Sequence, residues 1–169
     1  MTDYFSFFNL RPSPTVDQAA LKKAFYANSK RFHPDFHTLS DAETQAEILE
    51  QSTLNNQAYK VLADDDQRLK HLLELKGVLG EEGQNSVPQD FLMEIMEVNE
   101  ALMEMEMEDD PIVREKVVGL IDQLEADLDR DVEEILHSYD DSLSGTPELS
   151  RLKDYYLKRR YLLRLREKL

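Results

Sequence analysis

Five glycines and six prolines are spread over 169 residues, and nearly all fall between long segments rather than within them. A chain that interrupts itself so seldom, and that is rich in Leu, Glu and Ala, is committed to helix. The segment "DYFSFFNL" predicts a brief helix whose Tyr4, Phe5, Phe7 and Phe8 press onto a larger element, and "RPSPT" ends it. Thr15, with Gln18 three residues on, has capping-box spacing and predicts a helix over 16–32. Pro34 closes that helix, because the residue before a proline is pushed out of the α region. Ser40 and Glu43 repeat the capping spacing ahead of a helix over 41–63, and "QRLKHLLELKG" predicts a short helix stopped by Gly77.

The only Gly-rich stretch is "GVLGEEGQNSVP". It sets a domain boundary and divides the chain into 1–77, a linker at 78–86, and 87–169. Beyond it, helices are predicted over 88–107, 111–139 and 147–168, the last two opening on Pro111 and Pro147 in the first helical turn. Three long helices with short connections imply a bundle. The fold class is therefore all-α, a helical hairpin followed by a C-terminal three-helix bundle.

Charge narrows the partners. The net charge of −15 opposes nucleic-acid phosphate and anionic lipid. Neither a nucleic acid nor a membrane is expected as a partner. There is no cysteine, so thiolate metal sites, disulfides and cysteine nucleophiles are excluded. Together with an N-terminus lacking a basic and apolar leader, this predicts a cytoplasmic protein. The charge is unevenly placed. Residues 81–110 hold eleven Asp or Glu and no Lys or Arg, whereas 151–169 hold eight Lys or Arg against Asp154 and Glu167. The plain expectation is that the last helix lies beside the acidic ones and neutralises most of them. The helix over 16–32 is the exception in the first half, with Lys22, Lys23, Lys30 and Arg31 against Asp17.

Two features carry chemistry. The first is "KRFHPDFHTL". His33 beside Asp35 suggests acid–base work, but no phosphate loop, nucleophile elbow or zinc-protease motif accompanies it. His33 and His37 have a spacing that suits a metal only on a continuous helix, which Pro34 breaks. The tripeptide makes better sense as a presented loop, its polar groups held stiffly at the tip of a hairpin next to a basic helix. The second is "FLMEIMEVNEALMEME". Phe91, Ile95, Val98 and Leu102 suit a bundle core. Leu92, Met93 and Met96 then lie near the surface, bordered by Glu97, Glu100 and Glu104. Such a face is either further core or an apolar partner site with an acidic rim, and periodicity leaves both open.

"LKKAF…KRFHPD", a short aromatic helix before it and "NNQAYKVL" after it, resembles a J domain. With "RLKHLLELKG" and "FLMEIMEVNEAL" following in order, nearly the whole chain resembles the HscB family, the J-type co-chaperones of iron–sulfur cluster biogenesis. The resemblance implies a non-enzymatic protein without a cofactor. His33, Pro34 and Asp35 would stimulate the ATPase of a DnaK-type chaperone, HscA, with Lys22, Lys23, Lys30 and Arg31 docking on it. Leu92, Met93, Met96, Glu97, Glu100 and Glu104 would bind the cluster scaffold IscU. An aromatic residue of the last helix would assist, with Tyr156 the best match and Tyr155 the alternative. The chain departs from the pattern at Tyr26 and Ala27, where a basic pair is common. It also departs at Phe36, where lysine often follows, and at "ADDDQ", where a proline often stands. A general J protein with another client, and an acidic adaptor with an inactive J domain, remain as alternatives.

Overall fold

The computed structural model describes residues 1–169 and contains helices and turns but no strand. The helices are α1 (Tyr4–Phe7), α2 (Gln18–Arg31), α3 (Ala42–Ala63), α4 (Asp65–Leu75), α5 (Gln89–Glu94), α6 (Met96–Met107), α7 (Pro111–Ser138) and α8 (Thr146–Arg166). A 3-10 turn, Pro34–Phe36, lies between α2 and α3. The chain forms two compact units, Met1–Lys76 with Tyr139–Leu143, and Gly77–Ser138 with Ser144–Leu169. No helix is long and apolar enough to cross a membrane.

Aspartates, not the hydroxyl residues expected from sequence, start the helices of the first unit. Asp17 accepts from the backbone N–H of Ala19 and Ala20 at 3.0 and 3.2 Å. The N–H of Thr15, the expected start, goes instead to Ser13 Oγ. Asp41 accepts from Thr44 N–H at 2.7 Å, and hydrogen bonding from the Thr44 side chain first and from this N–H second holds its carboxyl below the usual range; Asp64 accepts from Gln67 N–H at 2.8 Å. A carboxylate meets both needs of a helix start, an acceptor for a free N–H and a negative charge at the positive end of the dipole. Gly77 follows α4 at φ +69°, a left-handed conformation natural to glycine.

Phe5, Phe8, Leu21, Ala58, Leu62 and Leu72 form the core of this unit, with Phe25 stacked on Tyr59 at 4.2 Å beside it. Three buried polar side chains pin the elements together. Asn55 on α3 donates to Phe25 O and Ser29 Oγ on α2, both at 3.2 Å. Arg68 on α4 donates to Pro14 O at 2.9 Å, to Leu62 O at 2.7 Å and to the Asp65 carboxylate. His71 accepts Tyr4 N–H on Nε2 at 3.1 Å and stacks on the Tyr4 ring at 4.5 Å, which fixes α1. Burial is the main cause that pushes the His71 pKa below 6.5. Tyr139 packs on the same core, its hydroxyl donating to Asp141, which also pairs with Lys76.

The second unit is the helical bundle, but its first predicted helix is two. Ile95 separates α5 from α6 at φ −85°, ψ −3°, and no glycine or proline marks the spot. Its side chain stays fully buried, with Phe91, Val98, Ala101, Leu102, Val117, Ile121, Leu128, Leu162 and Leu165. Two arginines of α8 pair with carboxylates of α7. Arg166 reaches Asp122 at 2.6 Å and Glu125 at 2.8 Å, and Arg159 reaches Asp129 at 3.5 Å. The expectation that α8 neutralises the acidic segment 81–110 is thus corrected. α8 lies along α7, so its cations meet the carboxylates of α7, and the glutamates of α5 and α6 keep their field toward solvent.

Candidate functional site

Because α2 and α3 are tied by Asn55 and the Phe25–Tyr59 stack, the connection between them is held at both ends. His33 caps the 3-10 turn, its Nδ1 accepting Asp35 N–H at 3.2 Å. That bond leaves the proton of the neutral ring on Nε2. The Asp35 carboxylate lies 3.7 Å from the same Nδ1, and both side chains are largely exposed. Phe36 sets its ring edge-on to His33 at 5.9 Å. His37 Nε2 donates to Arg31 O at 2.9 Å, and Gln45 Nε2 spans the carbonyls of His37, Thr38 and Ser40 at 3.3, 3.3 and 3.1 Å. The turn is therefore fastened through its own backbone. Its polar groups are fixed without being enclosed, which suits contact with a partner better than turnover of a small substrate.

Beside the turn is an open hollow of about 410 Å³, lined among others by Pro34, Asp35, Gln45, Ile48 and Leu49. On α2, Lys22, Lys23, Lys30 and Arg31 are all exposed. Lys22 lies over the Tyr26 ring at 5.9 Å and Arg31 over Phe32 at 5.2 Å. None of the four is in an ion pair within the chain, so their charge is available to an acidic surface.

On α5 and α6 the division expected from sequence is present. Phe91, Ile95, Val98 and Leu102 are buried. Leu92, Met93, Met96 and Met103 are 41, 67, 56 and 65% exposed. Glu97, Glu100 and Glu104 are exposed alongside them. Large apolar side chains left in water together, next to unpaired carboxylates, form a partner-binding type of surface. Tyr156 does not belong to that surface. It is 4% exposed, and its hydroxyl accepts from Arg160 at 2.9 Å, so its ring is structural here. The register of α8 decides this, because Leu152, Tyr156 and Leu162 share its inward side. Tyr155, the alternative, is half-buried and donates to Asp129 at 2.8 Å, with burial and that bond pushing its pKa up to about 12. On α8, Tyr161 sets its ring edge-on to Phe91 of α5 at 6.0 Å, and Lys158, not singled out in the sequence, lies over the same ring at 5.6 Å. Its signal was only one more lysine in a basic helix.

A hairpin with a fastened His-Pro-Asp turn and a basic α2, in one chain with a helical bundle, defines a J-domain protein. The comparisons with known proteins agree. A family model described as the HSCB C-terminal oligomerisation domain matches residues 87–169. The co-chaperone protein HscB homolog of Pseudoalteromonas atlantica is 31% identical over 98% of this chain and 96% of its own length. The human iron-sulfur cluster co-chaperone protein HscB is 38% identical over 63% of this chain and 46% of its own. The crystal structure of human HscB superposes with a TM-score of 0.73 at 26% identity, covering 99% of this chain and 80% of that one. Chaperone HscB from Vibrio cholerae shares the fold at a TM-score of 0.73, over 98% of this chain and 94% of that one. The chain belongs to the HscB family of co-chaperones.

Proposed function

We propose that this protein stimulates the ATPase of a DnaK-type chaperone, HscA, and delivers the iron–sulfur scaffold IscU to it, aiding maturation of iron–sulfur proteins in the cytoplasm. The observation that carries the reading is the pairing, in one chain, of two unlike contact surfaces. One is the backbone-fastened His33–Asp35 turn beside the free cations of α2. The other is the exposed Leu92, Met93 and Met96 face with its acidic rim. The name of the human relative points to the same cluster pathway.

The division of labour follows from the chemistry of each surface. Lys22, Lys23, Lys30 and Arg31 steer α2 onto an acidic surface of the ATPase. His33, Pro34 and Asp35 then meet it already ordered, so little conformational entropy is lost on contact. The Leu/Met face holds the scaffold by apolar burial, while Glu97, Glu100 and Glu104 select a basic counterpart. Scaffold and J domain thus reach the ATPase together, and the second contact gains the effective concentration set by the first. The protein acts without turnover of its own and without a cofactor.

Single-turnover ATP hydrolysis by the host's DnaK-type chaperones, with and without this protein and IscU, tests the reading. Stimulation of one chaperone by the protein, and further stimulation when the scaffold is added, is the expected result. Stimulation to which the scaffold adds nothing means a general J protein with another client. No stimulation of any chaperone leaves an acidic adaptor.

A further inference from the structure

Five of the six methionines lie between residues 93 and 107, and the first unit contains none but Met1. Met93, Met96, Met103 and Met107 are exposed, whereas Met105 is partly buried against the core of the bundle. There is no cysteine anywhere in the chain to intercept an oxidant first. Thioether sulfur, the most readily oxidised group left, is therefore concentrated on one helix pair and turned outward.

We infer that Met93 and Met96 form an oxidation-sensitive site that switches scaffold docking off when peroxide is present. The inference rests on the docking role proposed above for this face. In the step itself, a peroxide O–O bond breaks and one oxygen is transferred to the methionine sulfur. The thioether loses two electrons to become a sulfoxide, and hydrogen peroxide is reduced to water. The product carries a strong acceptor where an apolar, deformable side chain had been. Docking against an apolar counterpart then removes water from that oxygen without replacing its hydrogen bond. Affinity falls with no change in the helix that carries it. Reduction of the sulfoxide by methionine sulfoxide reductases restores the thioether, so the switch is reversible. The His33–Asp35 turn holds no sulfur, and the oxidised protein keeps its hold on the ATPase. Oxidative conditions would thereby uncouple the scaffold from the chaperone without removing the co-chaperone.

The full-length protein is treated with hydrogen peroxide, and peptide mass spectrometry locates the added oxygens. Scaffold binding and chaperone ATPase stimulation are then measured before treatment, after it, and after incubation with the two reductases. Wild type and a Met93→Leu/Met96→Leu variant are compared, each against its own untreated value. The expected result is oxidation at Met93, Met96, Met103 and Met107 ahead of Met105. Wild-type affinity for the scaffold should fall about tenfold or more and recover on reduction, while the leucine variant keeps its untreated affinity. Stimulation without scaffold should not change in the oxidised wild type. Oxidised wild type that binds as before overturns the inference, and so does a leucine variant that loses affinity equally. If untreated wild type binds no scaffold, the docking role fails first and the switch fails with it, and the untreated arm makes that failure distinct.

Discussion

The two contact surfaces proposed for this chain are built on opposite principles. The His33–Asp35 turn is polar, short and irregular, and every element around it is fastened by a hydrogen bond: His33 Nδ1, His37 Nε2 and the three bonds of Gln45. The Leu92–Met96 face is apolar, regular and free at its tips, its rigidity confined to the inward Phe91 and Ile95. A turn of this kind recognises by fixed direction, so a small displacement is costly. A face of flexible methionines recognises by area and tolerates repacking. The difference predicts that damage to the turn is all-or-none while damage to the face is graded.

The largest expected effect tests the first half of that contrast. His33→Gln removes the ring nitrogen that accepts Asp35 N–H and loosens the tip of the turn, although His37 and Gln45 still hold its flanks. Stimulation of the chaperone ATPase should fall to the unstimulated rate, in single-turnover assays with or without scaffold. Next comes the graded side. Leu92→Ala/Met93→Ala/Met96→Ala should weaken scaffold binding by about 2–4 kcal/mol, with each single variant costing a part. Calorimetric titration of scaffold reads this, and stimulation without scaffold serves as the internal reference. If one of the single variants alone removes all binding, the face is not graded and the contrast breaks.

Smaller effects separate structure from contact. Arg68→Met leaves the carbonyls of Pro14 and Leu62 unpaired in the core of the first unit. It should cost about 3 kcal/mol, read as a lowered urea midpoint, and lower stimulation only through the unfolded fraction. His71 gives a pH dependence. Its pKa in the folded protein lies below the 6.5 of the unfolded chain, so below pH 6.5 the unfolded chain takes up a proton that the folded protein resists. Stability should therefore fall as pH drops through 6.5 and level off below the folded-state value. A His71→Phe variant should lose that slope in urea titrations across pH. The smallest change is at the rim: Glu97→Gln/Glu100→Gln/Glu104→Gln should cost scaffold binding about 1 kcal/mol, mostly in association rate and mostly at low salt.

The elements that depend on near neighbours were legible without coordinates. Proline and glycine placement marked several helix ends to within a few residues, since such a break is a property of one or two backbone positions, but not the break at Ile95. The inward set Phe91, Ile95, Val98 and Leu102 followed from helical period, whereas period left open whether Leu92, Met93 and Met96 were further core or surface, and the structure exposes them. The His-Pro-Asp turn was visible as a tripeptide, because its fastening is mostly local. What failed was of another kind. The helix starts of the first unit went to Asp17 and Asp41 and not to Thr15 and Ser40, because the aspartate carboxylates accept the free N–H groups of the first turn.

Partnership across the fold was decided only in three dimensions. Helical period says which residues share a side of a helix, but not which helix that side will meet. So the sequence could place Tyr156 on α8 but could not show that it is buried, nor that the cations of α8 answer Asp122, Glu125 and Asp129 instead of the glutamates of α5 and α6. Nothing in the local sequence marks Arg68, Asn55 and His71 as buried, which they are. Pro14, Phe25 and Tyr4 arrive from distant parts of the chain to supply partners for them, although the buried Asn55 Oδ1 is left without one. Local chemistry sufficed to mark the two surfaces proposed as contacts. Tertiary packing determined which charges were cancelled within the chain and which were left for a partner.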